Sequence, residues 1–521
     1  MRTLRAWLFP DLASLLSLVT LGYCLLLWDG PRRLFRDADS GWHIRTGEGM
    51  LSRRALPRTD PYSFTRGGQP WVAWEWGADL MMGAAHRAAG LSGVAWLYLC
   101  ALAACGWLWL RLHWVAGGNF FIACAMAAPM LSTTNLHWLA RPHVLGWVML
   151  LAALHCAERA GVRFRPGQAA CILAGSALWA NLHASFFLGP LIALLYAAGH
   201  WLRAAVWQPD GAPDRAQARW LLRAAGVSVL GALANPYGWR LHRHVAEYLS
   251  NSELLARIGE FQSFNFHAEG AGQILLGVGL AGLGAVAAVA VRRPAHFLWL
   301  ALLLAAALRA ARALPLLALA GLPAANGAIT AALRRAVSGG GLQEGVRLGL
   351  ERFLAYSDRL RALDRGVSGA ALVVAAAVLA LVWLRTPAVA ARAGFPPGEF
   401  PVEAAEQLAK LPAEIRLLSS DKYGGYLIYR FAGRRKVFFD GRSDFYGADY
   451  MKQYGRLMQA RPGWRRQLAS FGFTHALLPR DSPLAEALEE AGWKRLYRDR
   501  VATLLEAPPG GLKPPVGDGT G

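Results

Sequence analysis

Lysine is absent before Lys410, so every fixed side-chain cation upstream of that point is an arginine. Acidic residues are scarce as well, 34 against 55 Lys and Arg, leaving a net charge of +21. A basic excess of this size on one face is the footprint of a nucleic-acid partner. Here the arginines fall in short loops between apolar runs, the pattern of cytoplasmic loops in membrane proteins, which argues against nucleic acid. The cysteines (Cys24, Cys100, Cys105, Cys124, Cys156 and Cys171) all lie in or beside apolar runs, and none shows metal-ligand spacing. That excludes a disulfide framework and a thiolate metal site and leaves them as small helix-packing residues. No convincing internal repeat is visible, which counts against a transporter built from paired repeats.

What the chain has in quantity is hydrophobic length. It is 55% hydrophobic, and apolar runs recur from Leu12 to Leu384. A spanning helix needs about 20 mostly apolar residues, and Leu12–Trp28, Gly93–Leu112, Val144–Cys156, Ile274–Val291 and Gly369–Leu384 meet or approach that length. Met1-Arg2-Thr3-Leu4-Arg5 precedes the first run without a small-residue cleavage site after it, as in an uncleaved signal anchor. With the N-terminus inside, the runs thread as about 11 spans. The basic stretches at Arg159–Arg165, Arg203–Arg219, Arg292-Arg293 and Arg334-Arg335 then all face the cytoplasm.

The fold class expected is therefore mostly α: a polytopic transmembrane helical bundle over residues 1–385, with a long outer loop at 29–90, and a small C-terminal α/β domain. That domain, 396–507, is read as extracytoplasmic, with strands at Ile415–Ser419, Lys436–Asp440, His475–Leu478 and Val501–Leu505. Helical patterns fall at Ala404–Leu411, Asp449–Ala460 and Pro483–Ala491, and the Gly/Pro-rich end, 508–521, reads as disordered. The localisation that follows is a bacterial inner membrane, N-terminus cytoplasmic and C-terminal domain periplasmic.

Polar residues that lipid would not tolerate gather on the outer side. The first outer loop carries Asp37-Ala38-Asp39, with His43 and Glu75 further on amid Trp71, Trp74 and Trp76. Paired carboxylates hold a divalent ion through hard oxygens or act as a general base, and an isolated Asp-x-Asp is also common in solvated loops. The tryptophans suit an interfacial anchor as well as a sugar face. Arg141-Pro142-His143, Asn181-Leu182-His183 and Asn235-Pro236-Tyr237-Gly238-Trp239-Arg240 mark further outer turns, joined by Glu260, Arg309 and Arg312. Ionisable groups at membrane depth face a cavity or a partner, and arginines there suit a lipid phosphate. In the tail, Asp440-Gly441-Arg442 follows an expected strand, either as an acceptor site at a sheet's end or as a structural ion pair in a tight turn.

These motifs, with Pro57-Arg58-Thr59-Asp60-Pro61, Trp179–His183, Tyr423-Gly424-Gly425-Tyr426-Leu427 and Phe439-Asp440-Gly441-Arg442, resemble the GT-C class of integral-membrane glycosyltransferases that use polyprenyl-phosphate sugars, and more narrowly its bacterial members. The resemblance implies a catalytic carboxylate at Asp37 or Asp39. It implies a donor lipid phosphate near Arg141, His143 and His183, with Arg240, Arg309 and Arg312 as further cations. His43, Glu75, Asn181, Asn235 and Glu260 would line the cavity, and Asp440 with Arg442 would form a tail site. It also implies one-step inverting transfer to a glycan, lipid or protein acceptor of the envelope, with Mg or Mn at Asp37 and Asp39 in some members and no metal in others. A flippase of lipid-linked sugars and a non-catalytic envelope scaffold are the competing expectations.

Overall fold

The computed structural model describes residues 5–27, 29–208 and 211–509. Met1 to Leu4 of the expected signal anchor, Trp28 at its exit and 510–521 of the expected disordered end lie outside them. Leaving out helical turns of fewer than seven residues, the first part of the chain runs through fourteen helices. They are α1 (Leu12–Leu26), α2 (Asp39–Arg53), α3 (Trp76–Val115), α4 (Phe120–Thr134), α5 (Pro142–Glu158), α6 (Pro166–Leu182), α7 (Leu188–Val206), α8 (Ala212–Ala232), α9 (Trp239–Ser250), α10 (Ala271–Ala290), α11 (Pro294–Arg309), α12 (Leu322–Ser338), α13 (Glu344–Asp364) and α14 (Ala370–Leu384).

Their ends are written in the sequence. Asp11 caps α1 by accepting from the Ser14 N–H at 2.8 Å, and Asn119 caps α4 through Phe121 and Ile122. Proline opens α5, α6 and α11, where the missing N–H costs nothing. Within α3 the backbone leaves helical geometry at Ala89 and Gly90, with φ of +59° at the glycine. That kink separates a mixed polar segment from an apolar one. The basic amphipathic segment expected before the last span is α13. Its Asp364 accepts from the Leu12 N–H at 2.6 Å and from Trp114 Nε1 at 2.8 Å, so it ties the starts and ends of other helices together.

Four stretches are long and apolar enough to cross a membrane by length and composition: α3, Ala184–Val206 with α7, α10, and Ala311–Ser338 with α12. Four more apolar helices, α1, α5, α11 and α14, are shorter. Those measures do not by themselves select eleven spans.

The C-terminal domain comprises α15 (Val402–Leu408), β1 (Leu417–Ser419), α16 (Asp421–Arg430), α17 (Ser443–Met458), α18 (Trp464–Phe471), β2 (His475–Pro479), α19 (Pro483–Glu490), β3 (Lys494–Arg498) and β4 (Ala502–Glu506). The sheet order is β1-β2-β4-β3, with β1 parallel to β2 and the other pairs antiparallel. The expected strand at Lys436–Asp440 is not in it. That segment leaves the sheet and pairs with the outer loop instead, exchanging Phe64 N–H to Val437 O (3.1 Å) and Val437 N–H to Tyr62 O (3.0 Å). β3, α16 and α18 were not expected, because charged or glycine-bearing stretches hid their periodicity.

The domain sits on α2. A Cβ on Gly41 would lie 2.2 Å from Gly425 O, and one on Gly425 would lie 2.4 Å from Ala38 O, so only glycines allow α2 and α16 to cross this closely. Arg45 then donates twice to Tyr429 O, at 2.9 and 2.7 Å. The Tyr-Gly-Gly-Tyr motif is thus a helix-docking surface.

Candidate functional site

Asp37 and Asp39 stand at the start of α2. Asp37 Oδ1 accepts from the Asp39 N–H, the first of α2, at 2.8 Å, which leaves Oδ2 for another partner. Arg141, the residue before α5, is brought to them by its loop: the Ala140 N–H donates to Leu34 O at 2.7 Å and Ser40 Oγ donates to Ala140 O at 2.9 Å. Its guanidinium then binds Asp37 Oδ2 (2.9 Å), Asp39 Oδ2 (2.9 Å) and Glu260 Oε1 (3.2 Å). Three segments remote in sequence form one cluster of three carboxylates around one cation.

A second group adjoins it. Asp39 and His43 are one turn apart on α2, and Glu75 and Asp79 are one turn apart at the start of α3. His43 Nδ1 lies 2.5 Å from Asp79 Oδ1, and His43 Nε2 is 3.8 Å from Glu75 Oε2. On the other side of Glu75, His183 Nε2 is 3.4 Å from Oε1. His183 Nδ1 accepts from the Ser185 N–H at 3.1 Å, so in the neutral ring the proton sits on Nε2 and points at Glu75. His43 Nε2 and Asp79 Oδ2 are buried and have no hydrogen-bond partner among the described residues.

The charges are set by burial. Burial pushes Asp39 up to about 7; Arg141 opposes the rise and the neighbouring Asp37 adds to it. Glu75 is pushed up to about 8, again by burial, against the pull of Arg141 and Arg312. Burial takes His183 down to about 3, helped by Arg312 and Arg141, and holds His43 well below the usual imidazole range. Glu260 goes the other way, to about 2: Arg141 and Arg312 outweigh its own burial. At neutral pH the histidines are therefore neutral dipoles, and the cations of the site are Arg141 and Arg312. Arg312 lies over the Phe261 ring at 4.4 Å and has no carboxylate within ion-pair distance among the described residues.

Other expected site residues go elsewhere. His143 Nε2 donates to His137 O in the preceding turn at 2.9 Å and the ring packs on Trp147, beside the cluster but without a bond to it among the described residues. Asn181 is a tie between segments: Oδ1 accepts from Trp76 Nε1 (2.7 Å) and Nδ2 donates to Ala234 O (2.8 Å). Asn235 closes its own turn through Tyr237 N–H and Gly238 O. Arg309 is exposed at the end of α11, because the chain leaves the helix at Ala310 and puts it on a different face from Arg312. Arg240 is exposed on the side of α9 opposite buried Leu241 and Val245. Of the two readings of the tail pair, the geometry has the ion pair: Arg442 and Asp440 are wholly buried, joined at 2.8 and 2.7 Å, and Arg442 also binds Asp60 of the outer loop at 2.8 Å. With Trp71 4.7 Å from its guanidinium carbon, Arg442 is a clamp between the outer loop and the C-terminal domain, closed to an acceptor.

Asp79, His137 and Asp444 belong to the site's surroundings and were missed. Asp444 sits 3.2 Å from His244 and helps to raise Glu75. The Glu75–Asp79 spacing of one helical turn was the available signal; Asp444 had none. Among the described residues no group of three or more His, Cys, Asp and Glu side chains is arranged to hold a metal ion. As arranged, with Arg141 between them, Asp37 and Asp39 do not fit a shared divalent ion.

No family model and no curated protein matches the chain. Three solved structures of the Archaeoglobus fulgidus oligosaccharyltransferase do match, each at 12% identity over 90% of this chain and 69% of that one. They are the form tethered by a disulfide to an acceptor peptide containing the NVT sequon (TM-score 0.51), AglB with an inhibitory peptide and a dolichol-phosphate (0.51), and the apo form (0.50). The chain has an oligosaccharyltransferase-like fold. It is a multi-pass membrane protein with a small C-terminal sheet domain. In that fold the carboxylate cluster lies where α2, α3 and α5 begin, beneath the C-terminal domain, and the opposite ends of α3 and α5 are a bundle-length away.

Proposed function

We propose that the protein is a membrane glycosyltransferase of the GT-C kind, moving a sugar from a polyprenyl-phosphate carrier to an envelope acceptor on the extracytoplasmic face of a bacterial inner membrane. The observation that carries the reading is the meeting of Asp37, Asp39 and Glu260 on Arg141, beside Glu75 held between two neutral histidines. The fold shared with an oligosaccharyltransferase supports it.

Asp39 is the general base. A carboxylate poised at about 7 matches the ideal for proton transfer near neutral pH. It takes the proton of the acceptor, whose heteroatom attacks the anomeric carbon as the bond to the phosphate oxygen breaks, inverting the centre. The departing phosphate meets Arg312, which has no carboxylate within ion-pair distance among the described residues. Arg141 positions Asp37 and Asp39 and supplies the positive charge between them, so no divalent ion is needed. Glu75, neutral below about pH 8, accepts from His183 Nε2–H and donates its own proton to the sugar.

The test is transfer from a radiolabelled polyprenyl-phosphate sugar in membranes. Asp39→Asn abolishes transfer while the protein level is unchanged, and Asp37→Asn reduces it. Full transfer by Asp39→Asn removes the base and this mechanism with it.

A further inference from the structure

At the opposite end of the bundle lies a cavity of about 210 Å³, lined chiefly by polar groups from four helices. It is remote from the carboxylate cluster. Arg141 precedes α5 and Glu158 ends it, and a helix of 17 residues separates them by about 25 Å. At about 30 Å³ per water, the space holds far more than one or two solvent molecules.

Its walls are cationic. Arg203 projects from the last turn of α7, its Nε 3.8 Å from Asp214, which also binds His200 at 2.7 Å, and Arg293 is the residue before α11. Arg293 is half-buried, donates to Ala116 O at 3.2 Å and has no carboxylate within ion-pair distance among the described residues. The first turn of α11 opens on the same space, and a helix N-terminus favours an anion. One carboxylate lines the cavity, Glu158, and it is already satisfied: Tyr196 Oη donates to it at 2.7 Å and His296 Nε2 binds it at 2.9 Å. His296 is 6% exposed, and its other nitrogen, Nδ1, has no partner among the described residues. Protonated on both nitrogens, His296 donates from Nε2 to Glu158 and keeps an Nδ1–H for a ligand oxygen in the cavity. The wall is rigid as well, since a Cβ on Gly199 would lie 2.3 Å from Ala295 Cα.

We propose that this cavity binds the phosphate of an anionic lipid headgroup, held by Arg203 and Arg293 at the start of α11. The lipid source rather than a free phosphate follows from the surface of the same helix outside the cavity. There Trp201 and Val206 on α7 are 63% and 58% exposed, the amphipathic and apolar surface expected at a membrane boundary. The surrounding loops, with Arg159, Arg163 and Arg165, add the basic fringe that attracts anionic lipid. The site is independent of the transferase reading, because it shares no residue with the carboxylate cluster.

The experiment uses the full-length protein in detergent, with dioleoyl phosphatidylglycerol, dioleoyl phosphatidylcholine and sodium phosphate as probes. Thermal unfolding and native mass spectrometry are the readouts. Phosphatidylglycerol raises the melting temperature and is retained as a bound lipid, whereas phosphatidylcholine does neither. In Arg293→Gln and Arg203→Gln the phosphatidylglycerol concentration for half effect rises about fivefold or more, as loss of a charge-assisted bond requires. Arg243→Gln, an exposed arginine of α9 at the other end of the bundle, leaves it unchanged. An equal response to phosphatidylcholine, or equal weakening by Arg243→Gln, overturns the proposal. Stabilisation by phosphate but not by phosphatidylglycerol overturns the lipid assignment. Arg203 is partly exposed, so its variant folds and decides the matter should Arg293→Gln not accumulate.

Discussion

Gly441 lies against Asp39 so closely that a Cβ on it would sit 1.9 Å from Oδ1. The C-terminal domain therefore forms one wall of the carboxylate site. Gly441→Ala forces the Asp39 carboxylate to swing away, and an error of about 1 Å in a reacting group costs about a hundredfold in rate. The expected outcome is a loss of sugar transfer of that order, while thermal unfolding in detergent reports a change of only about 1–3 kcal/mol. Retained transfer would show that Asp39 works in another position.

Arg141 stands where three acidic side chains meet. Transfer by the native protein is expected to be insensitive to EDTA. Arg141→Ala leaves Asp37, Asp39 and Glu260 uncompensated, and activity falls by at least about a hundredfold. The same variant gains a site for a hard cation, so Mg or Mn partly restores its activity. Inhibition of the native protein by EDTA, reversed by added Mn, would overturn the role given to Arg141.

The site should make the fold more stable in mild acid than in mild base. Asp39 and Glu75 have folded values of about 7 and about 8, above their ordinary ones, so the folded state binds more protons than the unfolded state in between. Their contribution is fully present below the unfolded values and is lost as pH rises through about 7 and about 8. Glu260 acts oppositely, losing its contribution only as pH falls toward about 2, and is constant over the window. Melting temperatures in detergent from pH 5 to 9 should fall with pH, and Glu75→Gln should flatten the slope. Transfer moves the other way at first, rising as Asp39 ionises through about 7.

Arg442 holds the outer loop to the C-terminal domain through Asp60 and Asp440, all fully buried. Removing the cation alone leaves two buried carboxylates unpaired, at a cost of about 3–5 kcal/mol. Arg442→Met is expected to lower the melting temperature and expose the segment 386–401 to protease. Unchanged proteolysis would mean that the glycine-packed crossing of α2 and α16 is enough to dock the domain.

Much of this arrangement was legible beforehand, and the gaps have physical causes. The apolar runs, the proline-initiated helices and the Asp37–Asp39 pair announce themselves through period and spacing. Arg141 and Glu260 were legible as polar residues where lipid would exclude them, although their shared contact was not. The tail pair stayed open because Asp-Gly-Arg reads alike as a ligand turn and as a structural ion pair; Asp60, some 380 residues away in the chain, distinguishes them. The strand expected at Lys436–Asp440 failed for a related reason. Its partner is the outer loop, and strand propensity does not specify which edge a segment joins.

The amino-acid sequence by itself determined the membrane class, the alternation of basic loops and apolar helices, and the polar residues that must find partners, since hydrophobic length and charge are local properties of the chain. Tertiary structure alone decided which partners they found. It put one arginine among three carboxylates, made His183 a neutral dipole by burial, sent Arg309 to the surface and closed the site with Gly441. Those outcomes depend on desolvation and on contacts between segments hundreds of residues apart, which no local pattern encodes.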